Sequence, residues 1–332
     1  MTVNYNERVV RGYLRDLSLS YRNEDASYVN DWMYPEISGV TRKSQVFKYV
    51  KSDQFRIEVK ERAPGGTTPI REVRGNQEPI NPVNFAVGSL VTDEEREEAN
   101  VPGNFNWDPE EDAVEDIADQ LWMKREQKMS EVLYSELWSG NAAGGISAGG
   151  TWGDSTEAND TFVQAIQNGK KTIVSNTGKM PNSLFLDMCA WTKISQSPKW
   201  TSRLTTTQQL VTPEIVGREL GLDVRVGWAI NNIDDEAVDP DAFTSEYLMS
   251  PPGANNDKGH GFLFYKPANP GRKRLTAGYQ YSVIKQKSRS IFLMTMRRAA
   301  DRRSDVFEGE REFDFATMCL DCGILWKETA AV

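Results

Sequence analysis

The sequence predicts an α+β fold, because helix patterns and strand patterns follow one another along its 332 residues without a regular βαβ rhythm. Two observations shape this prediction. A long amphipathic pattern with helix-capping residues begins at Asp108, and the segment before it combines strand-like alternation with many aromatic rings but has no obvious core of its own. Because that segment is too aromatic to be a linker, either the rest of the chain or neighbouring chains must bury its rings. This combination is typical of an assembly protein.

Residues 1–42 are predicted to form an N-terminal arm. A short helix is expected over residues 20–31, and Pro35 and Gly39 prevent its continuation. Aromatic residues recur through the arm among many charged ones. Those expected to contact neighbouring subunits are Tyr28, Trp32 and Tyr34.

Residues 43–105 are predicted to form a two-stranded β-projection. The first strand is expected over residues 46–59, which end in a strict alternation of apolar and charged side chains. Pro64 and the two glycines after it supply a turn, and the returning strand is expected over residues 70–74. Because an isolated hairpin is marginally stable in water, this one is expected to lie on a neighbouring subunit. Its expected contact residues are Phe47, Tyr49, Phe55, Ile57 and Val59.

A long helix is predicted over residues 109–139. Asp108 is a candidate N-cap, Pro109 occupies the first helical position, and Glu111 follows three residues after the cap. Apolar residues then recur largely on one stripe until Gly140 ends the helix. At a rise of 1.5 Å per residue such a helix would span about 46 Å, which is typical of a structural spine.

The rest of the chain alternates between shorter helices and strands, without an internal repeat. Helices are expected over residues 161–175, 190–197 and 212–220, and strands over 184–186, 223–229, 261–265, 291–298 and 313–326. A polar loop is expected over residues 240–261.

The composition is that of an ordinary soluble protein, with 39% apolar and 26% charged residues. The formal net charge of −9 argues against a free-standing nucleic-acid-binding domain, because such domains are usually basic. We expect neither a membrane span nor a signal peptide, since no apolar run approaches the roughly 20 residues of a span. The 3 cysteines cannot form a fully paired framework, which favours a reducing compartment.

The charges are distributed unevenly along the chain. Residues 93–119 contain twelve acidic residues and one basic residue, whereas residues 272–303 contain ten basic residues and one acidic residue. Two solvated faces would explain this distribution. Alternatively, the two segments meet across a contact between subunits, where complementary charges set the register. Arg297 and Arg298 are the residues expected at such a contact.

Residues that usually carry catalysis or bind metals are sparse. His260 is the only histidine, so histidine-based metal sites and nucleophile–histidine–acid systems lose support, and a structural or incidental role is favoured. The glycines of residues 140–153 form no phosphate-binding motif, and the carboxylates of residues 94–119 lack EF-hand spacing. We therefore predict no catalytic, cofactor-binding or metal-binding residue, no cofactor and no enzyme.

Cys319 and Cys322 form a C-x-x-C motif. On the strand expected here, side chains three positions apart point to opposite faces, so the pair is poorly placed to chelate a metal. A zinc site requires four ligands, and a redox motif usually stands at the start of a helix after a strand. Neither pattern is present, so a packing role is favoured for both cysteines.

Several segments, in this order, resemble the major capsid proteins of tailed bacteriophages with the Hong Kong 97-type fold. They are residues 28–35 (YVNDWMYP), 47–51 (FKYVK) with 55–56, the helix pattern of 108–139, 180–186 (MPNSLFL) and 223–229 (DVRVGWA). Together they span essentially the whole chain.

The resemblance implies a division of the chain and a function. The implied parts are an N-terminal arm (1–42), an extended β-hairpin loop (43–105), a peripheral domain with a long spine helix (106–184), a mainly axial domain (185–310) and C-terminal strands that return to the peripheral domain (311–332). Subunits of this family form hexamers and pentamers that close into an icosahedral shell around packaged DNA. The implied location is the virion capsid, assembled in the cytoplasm of the bacterial host.

The resemblance also implies partners. These are further copies of the chain, a separate scaffolding protein (since no fused scaffolding domain is visible), a portal and, as an option, a decoration protein. DNA would be enclosed without sequence-specific binding, and no membrane is expected. Two alternatives stay open: an encapsulin-type nanocompartment shell, which shares the fold but loads an enzyme cargo, and an enzyme with an unrecognised carboxylate site.

Overall fold

The computed structural model describes residues 8–9, 28–49, 53, 55–68, 70–71, 74–99, 108–141, 144–204, 210–233, 244–251, 258–269, 271, 274–283, 293–299 and 301–329. The α-helices in these residues are α1 (Asn30–Met33), α2 (Asp93–Ala99), α3 (Pro109–Ser135), α4 (Phe162–Thr177), α5 (Met188–Gln196), α6 (Pro198–Leu204) and α7 (Pro213–Leu220). The strands are β1 (Arg8–Val9), β2 (Glu36–Ser38), β3 (Ser44–Tyr49), β4 (Gly75–Ile80), β5 (Val83–Thr92), β6 (Ile146–Ser147), β7 (Ser183–Asp187), β8 (Asp223–Gly227), β9 (Ile230–Asn232), β10 (Ser245–Tyr247), β11 (Gly261–Phe264), β12 (Gly278–Ser282), β13 (Leu293–Ala299), β14 (Ser304–Thr317) and β15 (Gly323–Lys327). None of the helices in the described residues is long and apolar enough to cross a membrane.

Helix α3 is the predicted spine helix. The Asp108 carboxylate accepts the backbone N–H of Glu110 at 3.0 Å, and Pro109 follows the cap, as the sequence predicts. The helix ends at Ser135, earlier than expected, because Glu136 adopts an extended backbone with a ψ of 151°. Its 27 residues span about 40 Å at 1.5 Å per residue.

A six-stranded sheet packs against α3. Its central strand is β14, which pairs antiparallel with β5, β13 and β12, while β2 and β1 extend the sheet. Ile117 and Leu121 of α3 share one buried cluster with Phe307 of β14. The helix approaches closely at Gly309, where an added Cβ would lie 2.3 Å from the Cγ2 atom of Ile117. Burial of apolar side chains between one helix and one long strand therefore builds the first layer pair.

A second sheet has five strands in the order β6-β15-β11-β7-β8. Strands β7 and β8 run parallel, whereas β11 pairs antiparallel with both β7 and β15. Helices α4 to α7 cover this sheet with a shared apolar cluster that includes Phe162, Ile166, Ala190, Ile194, Trp200, Val216 and Leu220. This sheet and its helices form the second layer pair.

The C-terminal strands connect the two layer pairs. Strand β14 belongs to the six-stranded sheet, where it also pairs with β12 and β13. A 3₁₀ turn at Leu320–Cys322 separates β14 from β15 and leads the chain into the second sheet. Leu325 of β15 shares a buried cluster with Leu133 of the spine helix. The predicted division into peripheral and axial parts stays a prediction.

Residues 28–34 lie at the junction of the two sheets. Trp32 and Tyr34 share one buried cluster with Phe264 of β11 and with Phe313 and Phe315 of β14. The Trp32 ring meets Phe264 edge-on at a centroid distance of 5.3 Å. The segment therefore helps to join the two layer pairs.

Several local predictions are confirmed and others are wrong. Helices α4, α5 and α7 and strands β7, β8 and β11 occur close to the predicted positions, and Gly221 ends α7 with a left-handed φ of 64°. The strand expected over residues 46–59 ends at Tyr49, and the return strand forms over Gly75–Ile80 rather than 70–74. The expected strand over 313–326 is interrupted by the 3₁₀ turn, and β5 was not predicted. Of the helix expected over 20–31, residues 20–27 lie outside the described part.

Candidate assembly surfaces

The β-projection is a hairpin whose base is anchored in its own chain. Strand β3 pairs antiparallel with β4, with Ser44 opposite Ile80 and Tyr49 opposite Gly75. Ile80 is buried in a small cluster with Tyr279 of β12. The base of the projection therefore obtains its apolar contacts within the subunit.

Beyond that base the projection exposes an apolar strip, formed by Phe55, Ile57, Val59 and Ile70. Ile57, Val59 and Ile70 are 88%, 89% and 91% exposed, and Phe55 is 54% exposed. The strand alternation expected here does not form a strand, because residues 55–63 have no hydrogen-bonded neighbour strand in the described part of the chain. Several large apolar side chains exposed to this degree on one loop make that loop a candidate interaction site.

Ion pairs hold the two limbs of the projection together. Arg74 donates from Nε and Nη2 to the two carboxylate oxygens of Asp53, both at 2.9 Å. This hydrogen bond lowers the pKa of Asp53 to about 2. Glu58 adds weaker contacts, 3.7 Å from Arg71 and 3.8 Å from Arg56. The charged residues therefore fix the path of the loop while its apolar strip stays in solvent.

The rings of Tyr28, Trp32 and Tyr34 are buried inside their own chain. Tyr28 stacks on Trp122 of α3 at a centroid distance of 6.2 Å, and Tyr34 lies 6.2 Å from Phe315 of β14. The expectation that these three rings complete their burial on a neighbouring subunit is therefore corrected, because α3 and the two sheets already cover them.

Phe47 belongs to the base of the projection. Its half-buried ring packs over Gly75, where an added Cβ would lie 2.1 Å from the Phe47 Cζ atom. The side chain of Tyr49 lies outside the described part of the chain. Of the predicted contact residues in the projection, Phe55, Ile57 and Val59 are thus the ones with large exposed apolar surfaces.

Trp32 is held at a surface notch by polar contacts. Its Nε1 atom donates to the Asp223 carboxylate at 2.6 Å, and its backbone carbonyl accepts from Lys266 at 2.9 Å. The Lys266 ammonium lies 4.2 Å from the centre of the ring, and the Arg225 guanidinium lies 5.2 Å from it. Burial lowers the pKa of Lys266 to about 8. These contacts bind the end of the arm to the second sheet.

A buried carboxylate in the middle of α3 was not predicted. Glu126 accepts the backbone N–H of Val29 at 2.9 Å and that of Asn30 at 3.1 Å. Burial raises the pKa of Glu126 to about 7, and the two N–H groups partly oppose the shift. Glu126 thereby holds the start of α1 against the spine helix.

A buried guanidinium network lies beside that carboxylate. Arg125 contacts Asp31 and Gln280, and it lies 3.5 Å from Glu36, which also accepts from Arg311 at 3.2 Å. Burial lowers the pKa of Arg311 to about 9, with the charge of Arg125 adding to the effect. Charges from the arm, from α3 and from β14 therefore compensate one another inside the fold.

The helical spacing contains a signal for these two buried residues. Arg125 and Glu126 follow Trp122 at i+3 and i+4, and Met129 follows at i+7, so all four share one stripe of α3. The charged stretch around them resembles a solvated face when residue types alone are considered. Only the spacing places the two charges inward.

The acidic and basic segments of the chain meet within one subunit. Arg298 of β13 donates to the Asp93 carboxylate at 2.6 Å, and Arg297 donates to Glu308 of β14 at 2.7 Å. The hydrogen bond from Arg298 lowers the pKa of Asp93. Each arginine thus has a carboxylate partner in its own chain, while both side chains stay partly exposed, and their predicted contact with a neighbouring subunit stays a prediction.

His260 has a structural environment. It is buried, its Nδ1 atom lies 2.9 Å from the Asp187 carboxylate, and its ring meets Tyr134 edge-on at 5.5 Å. Asp187 also accepts the backbone N–H of Ala190 at 2.8 Å, which caps α5. Within the described residues, no group of three or more histidine, cysteine and carboxylate side chains is placed to hold a metal ion.

Comparison with solved structures identifies the architecture. A phage-related protein from Bordetella bronchiseptica shares 17% identity with a TM-score of 0.68, over 97% of this chain and 98% of that one. A mature capsid protein of bacteriophage PhiM1 shares 10% identity with a TM-score of 0.53, over 93% of this chain and 88% of that one. A virus-like particle from Pyrococcus furiosus shares 13% identity with a TM-score of 0.51, over 95% of this chain and 97% of that one.

These likenesses confirm the predicted fold, which is that of phage capsid proteins of the Hong Kong 97 type. The sequence itself is divergent: no protein-family model matches it, and no curated protein matches it significantly. At identities of 10% to 17% the shared property is the fold.

Proposed function

We propose that this chain is the shell-forming major capsid protein of a tailed bacteriophage or prophage. In this proposal the subunits form hexamers and pentamers, which close into an icosahedral virion shell around packaged DNA in the host cytoplasm. The observation that carries the proposal is the apolar strip on an anchored hairpin, in a chain whose fold occurs in phage capsids. Ile57, Val59 and Ile70, the most exposed members of the strip, contribute little to the stability of the subunit, so their surface is available to a second copy.

The apolar strip supplies a contact of suitable strength for assembly. Burying one large apolar side chain contributes about 1.5–3 kcal/mol, so the most exposed members of the strip contribute several kcal/mol per subunit. In a closed hexamer or pentamer each subunit would place its own strip on one neighbour and cover the strip of another. The individually weak contacts would then add up around the ring. The Asp53–Arg74 pair holds the two limbs of the loop together before the contact forms, which reduces the entropy lost on binding.

The layer pairs suggest how a subunit is divided in a shell. We assign the peripheral part to α3 with the six-stranded sheet, because that unit carries the projection on β12 and β14. We assign the axial part to the five-stranded sheet with α4 to α7. A separate scaffolding protein, a portal and a decoration protein complete the proposed set of partners.

A nanocompartment shell is the second candidate function. The likeness to a virus-like particle from Pyrococcus furiosus is compatible with it, since that particle shares the fold at a TM-score of 0.51. The two candidates differ in content: a phage shell encloses DNA, whereas a nanocompartment encloses a cargo enzyme.

The test is electron microscopy of the protein expressed together with the genes that flank it. Closed shells are expected, and nuclease-resistant DNA or a co-purifying enzyme inside them would distinguish the two candidates.

A shortened variant tests the role of the projection. In this variant, residues 50–74 are replaced by Asn-Gly. Because Tyr49 and Gly75 are paired neighbours, a two-residue turn closes that hairpin and keeps its buried base. This variant should fold as a subunit and form no shells, and normal shells from it would contradict the proposed role of the projection.

A further inference from the structure

The C-x-x-C motif lies in the turn that joins the two sheets. The 3₁₀ turn Leu320–Cys322 follows β14 of the six-stranded sheet and leads directly into β15 of the five-stranded sheet. The backbone N–H of Cys322 donates to the carbonyl of Cys319 at 3.1 Å. The motif therefore sits on a hydrogen-bonded turn, and not on the strand that the sequence predicts.

This turn brings the two cysteines to the same side of the chain. A hydrogen bond from residue i+3 to residue i closes a turn whose end Cα atoms lie within about 7 Å. Disulfides require a Cα separation of about 4.4–6.8 Å. The Cys322 thiol also hydrogen-bonds to that of Cys319, and neither cysteine is in a disulfide. On the predicted strand the same residues would point to opposite faces.

The two thiols differ in access to solvent and in chemistry. Cys319 is partly exposed, whereas Cys322 is fully buried. The hydrogen bond from Cys322 lowers the pKa of Cys319 to about 7, with further support from the backbone N–H groups of Asp321 and Cys322. A partly exposed thiol with a lowered pKa is the usual attacking group in thiol–disulfide exchange.

The geometry points to a redox-active thiol pair in which Cys319 is the attacking thiol and Cys322 the resolving thiol, with low-molecular-weight disulfides such as oxidised glutathione as co-reactants. In the first step the Cys319 thiolate attacks one sulfur of glutathione disulfide, forms a mixed disulfide and releases one glutathione thiolate. In the second step Cys322 loses its proton and attacks the Cys319 sulfur, which releases the second glutathione. The pair is oxidised by two electrons, and the small disulfide is reduced to two thiols.

The bond would act on the connection between the two layer pairs. It closes the turn covalently, and residues beside the turn already join it to other elements: Met318 accepts from Tyr281 of β12 at 3.7 Å, and Asp321 accepts from Asn176 of α4 at 3.5 Å. Oxidation would therefore restrict the path from β14 to β15. This inference rests on the turn itself and is independent of the proposed shell function.

The experiment treats the full-length protein with oxidised glutathione at pH 7 and follows each cysteine by peptide mass spectrometry. The wild type should lose two hydrogen masses in the peptide that contains Cys319 and Cys322. Cys322→Ser should stop at a mixed disulfide on Cys319, and Cys319→Ser should form no internal bond. The buried Cys189 is the internal control, and Cys189→Ser should react like the wild type.

A second measurement follows the alkylation rate of the Cys319 thiol alone. It therefore distinguishes a change in thiol reactivity from a change in folding. Alkylation of Cys319 by iodoacetamide should rise with pH around a midpoint near 7, and at pH 7 it should proceed about three- to tenfold faster than alkylation of an ordinary exposed thiol. In Cys322→Ala, which has no side-chain donor, the midpoint should move upward, since the hydrogen bond to Cys319 is lost. An ordinary midpoint near 8.5 in the wild type, or a stable mixed disulfide in the wild type, would overturn the proposal.

Discussion

Glu126, in the middle of the spine helix α3, accepts the backbone N–H of Val29 at 2.9 Å, although 97 residues separate them in the chain. The same carboxylate accepts the N–H of Asn30, so one side chain satisfies two donors at the start of α1. Residues 28–34 are thereby fixed on the helix that also supports β14. The end of the arm is thus part of the subunit core, whereas most of the described residues of the projection beyond its base are exposed.

The Glu126 contact should make stability depend on pH. The pKa of Glu126 is about 7 in the fold and is raised from an ordinary glutamate value, so the folded state holds a proton that the unfolded state has released. The stability from this group is therefore greatest below about pH 4.5 and is lost as the pH rises through 7. Between pH 5.5 and 8 the loss should be at most about 2 kcal/mol, measured by urea unfolding of isolated subunits.

Glu126→Gln is the control for that pH dependence. Gln does not titrate, so the difference in unfolding free energy between the wild type and Glu126→Gln should change with pH in the stated direction. Glu126→Ala leaves two buried N–H groups without an acceptor and should lower the unfolding free energy by about 2–4 kcal/mol. A pH profile identical in the wild type and Glu126→Gln would show that Glu126 does not titrate in this range.

The pairing of Arg298 with Asp93 predicts a charge effect inside the subunit. Arg298→Glu should lower the melting temperature slightly, because it places three carboxylates together at Asp93 and Asp305, and added salt should reduce the effect. Asp93→Arg combined with Arg298→Glu should restore the wild-type value. The measurement is thermal unfolding of isolated subunits at low and high salt, with Arg297→Glu as a neighbouring control. If the two variants recover assembly only when mixed as separate chains, the pairing acts between subunits instead.

The sequence predicted elements whose signals are local. Helix α3 was predicted because Asp108 and Pro109 mark its start by backbone chemistry that needs no tertiary contact. Strand β5 was missed because its hydrogen bonds go to β14, more than two hundred residues later. Its burial alternates along the strand, but apolar Ala86 and Leu90 at exposed positions blur that alternation in the sequence. The turn at Cys319 was missed because the flanking strand residues dominate the pattern.

The candidate surfaces were predicted only in part, for a related reason. Composition marks Tyr28 and Ile57 alike as apolar side chains in a segment without its own core. Which of them is covered depends on Trp122, which stacks on Tyr28, while no part of the described chain covers Ile57. Long-range packing therefore decides which apolar residues stay exposed and can contact a neighbouring subunit. The sequence pattern alone does not reveal this packing.

The close approach of α3 and β14 predicts a strict requirement for glycine at position 309. An added methyl would lie 2.3 Å from Ile117, which is fully buried, so Gly309→Ala should destabilise the subunit by about 1–3 kcal/mol. Gly88→Ala in β5 is the matched control, because its nearest atom would lie at 3.2 Å. In the double variant Gly309→Ala with Ile117→Ala, the loss in unfolding free energy should be smaller than the sum of the losses in the two single variants. Urea unfolding measures these free energies.

The apolar strip predicts a separation between folding and assembly. The triple change Ile57→Asp, Val59→Asp and Ile70→Asp alters side chains that are about nine-tenths exposed, so the melting temperature of the subunit should stay within a few degrees of the wild-type value. Shell formation should be lost, because three charges would have to be buried at the subunit contact. Electron microscopy and light scattering measure the outcome.

Two matched variants make that result specific. The conservative set Ile57→Val, Val59→Ile and Ile70→Val keeps the strip apolar and should assemble normally. Leu210→Asp places one charge at another exposed apolar position, 85% exposed and outside the projection, and should not prevent shells. If the triple aspartate variant assembles as the conservative set does, the strip lies on the free surface of the shell. The subunit contact would then have to be sought on the sheets or on α2.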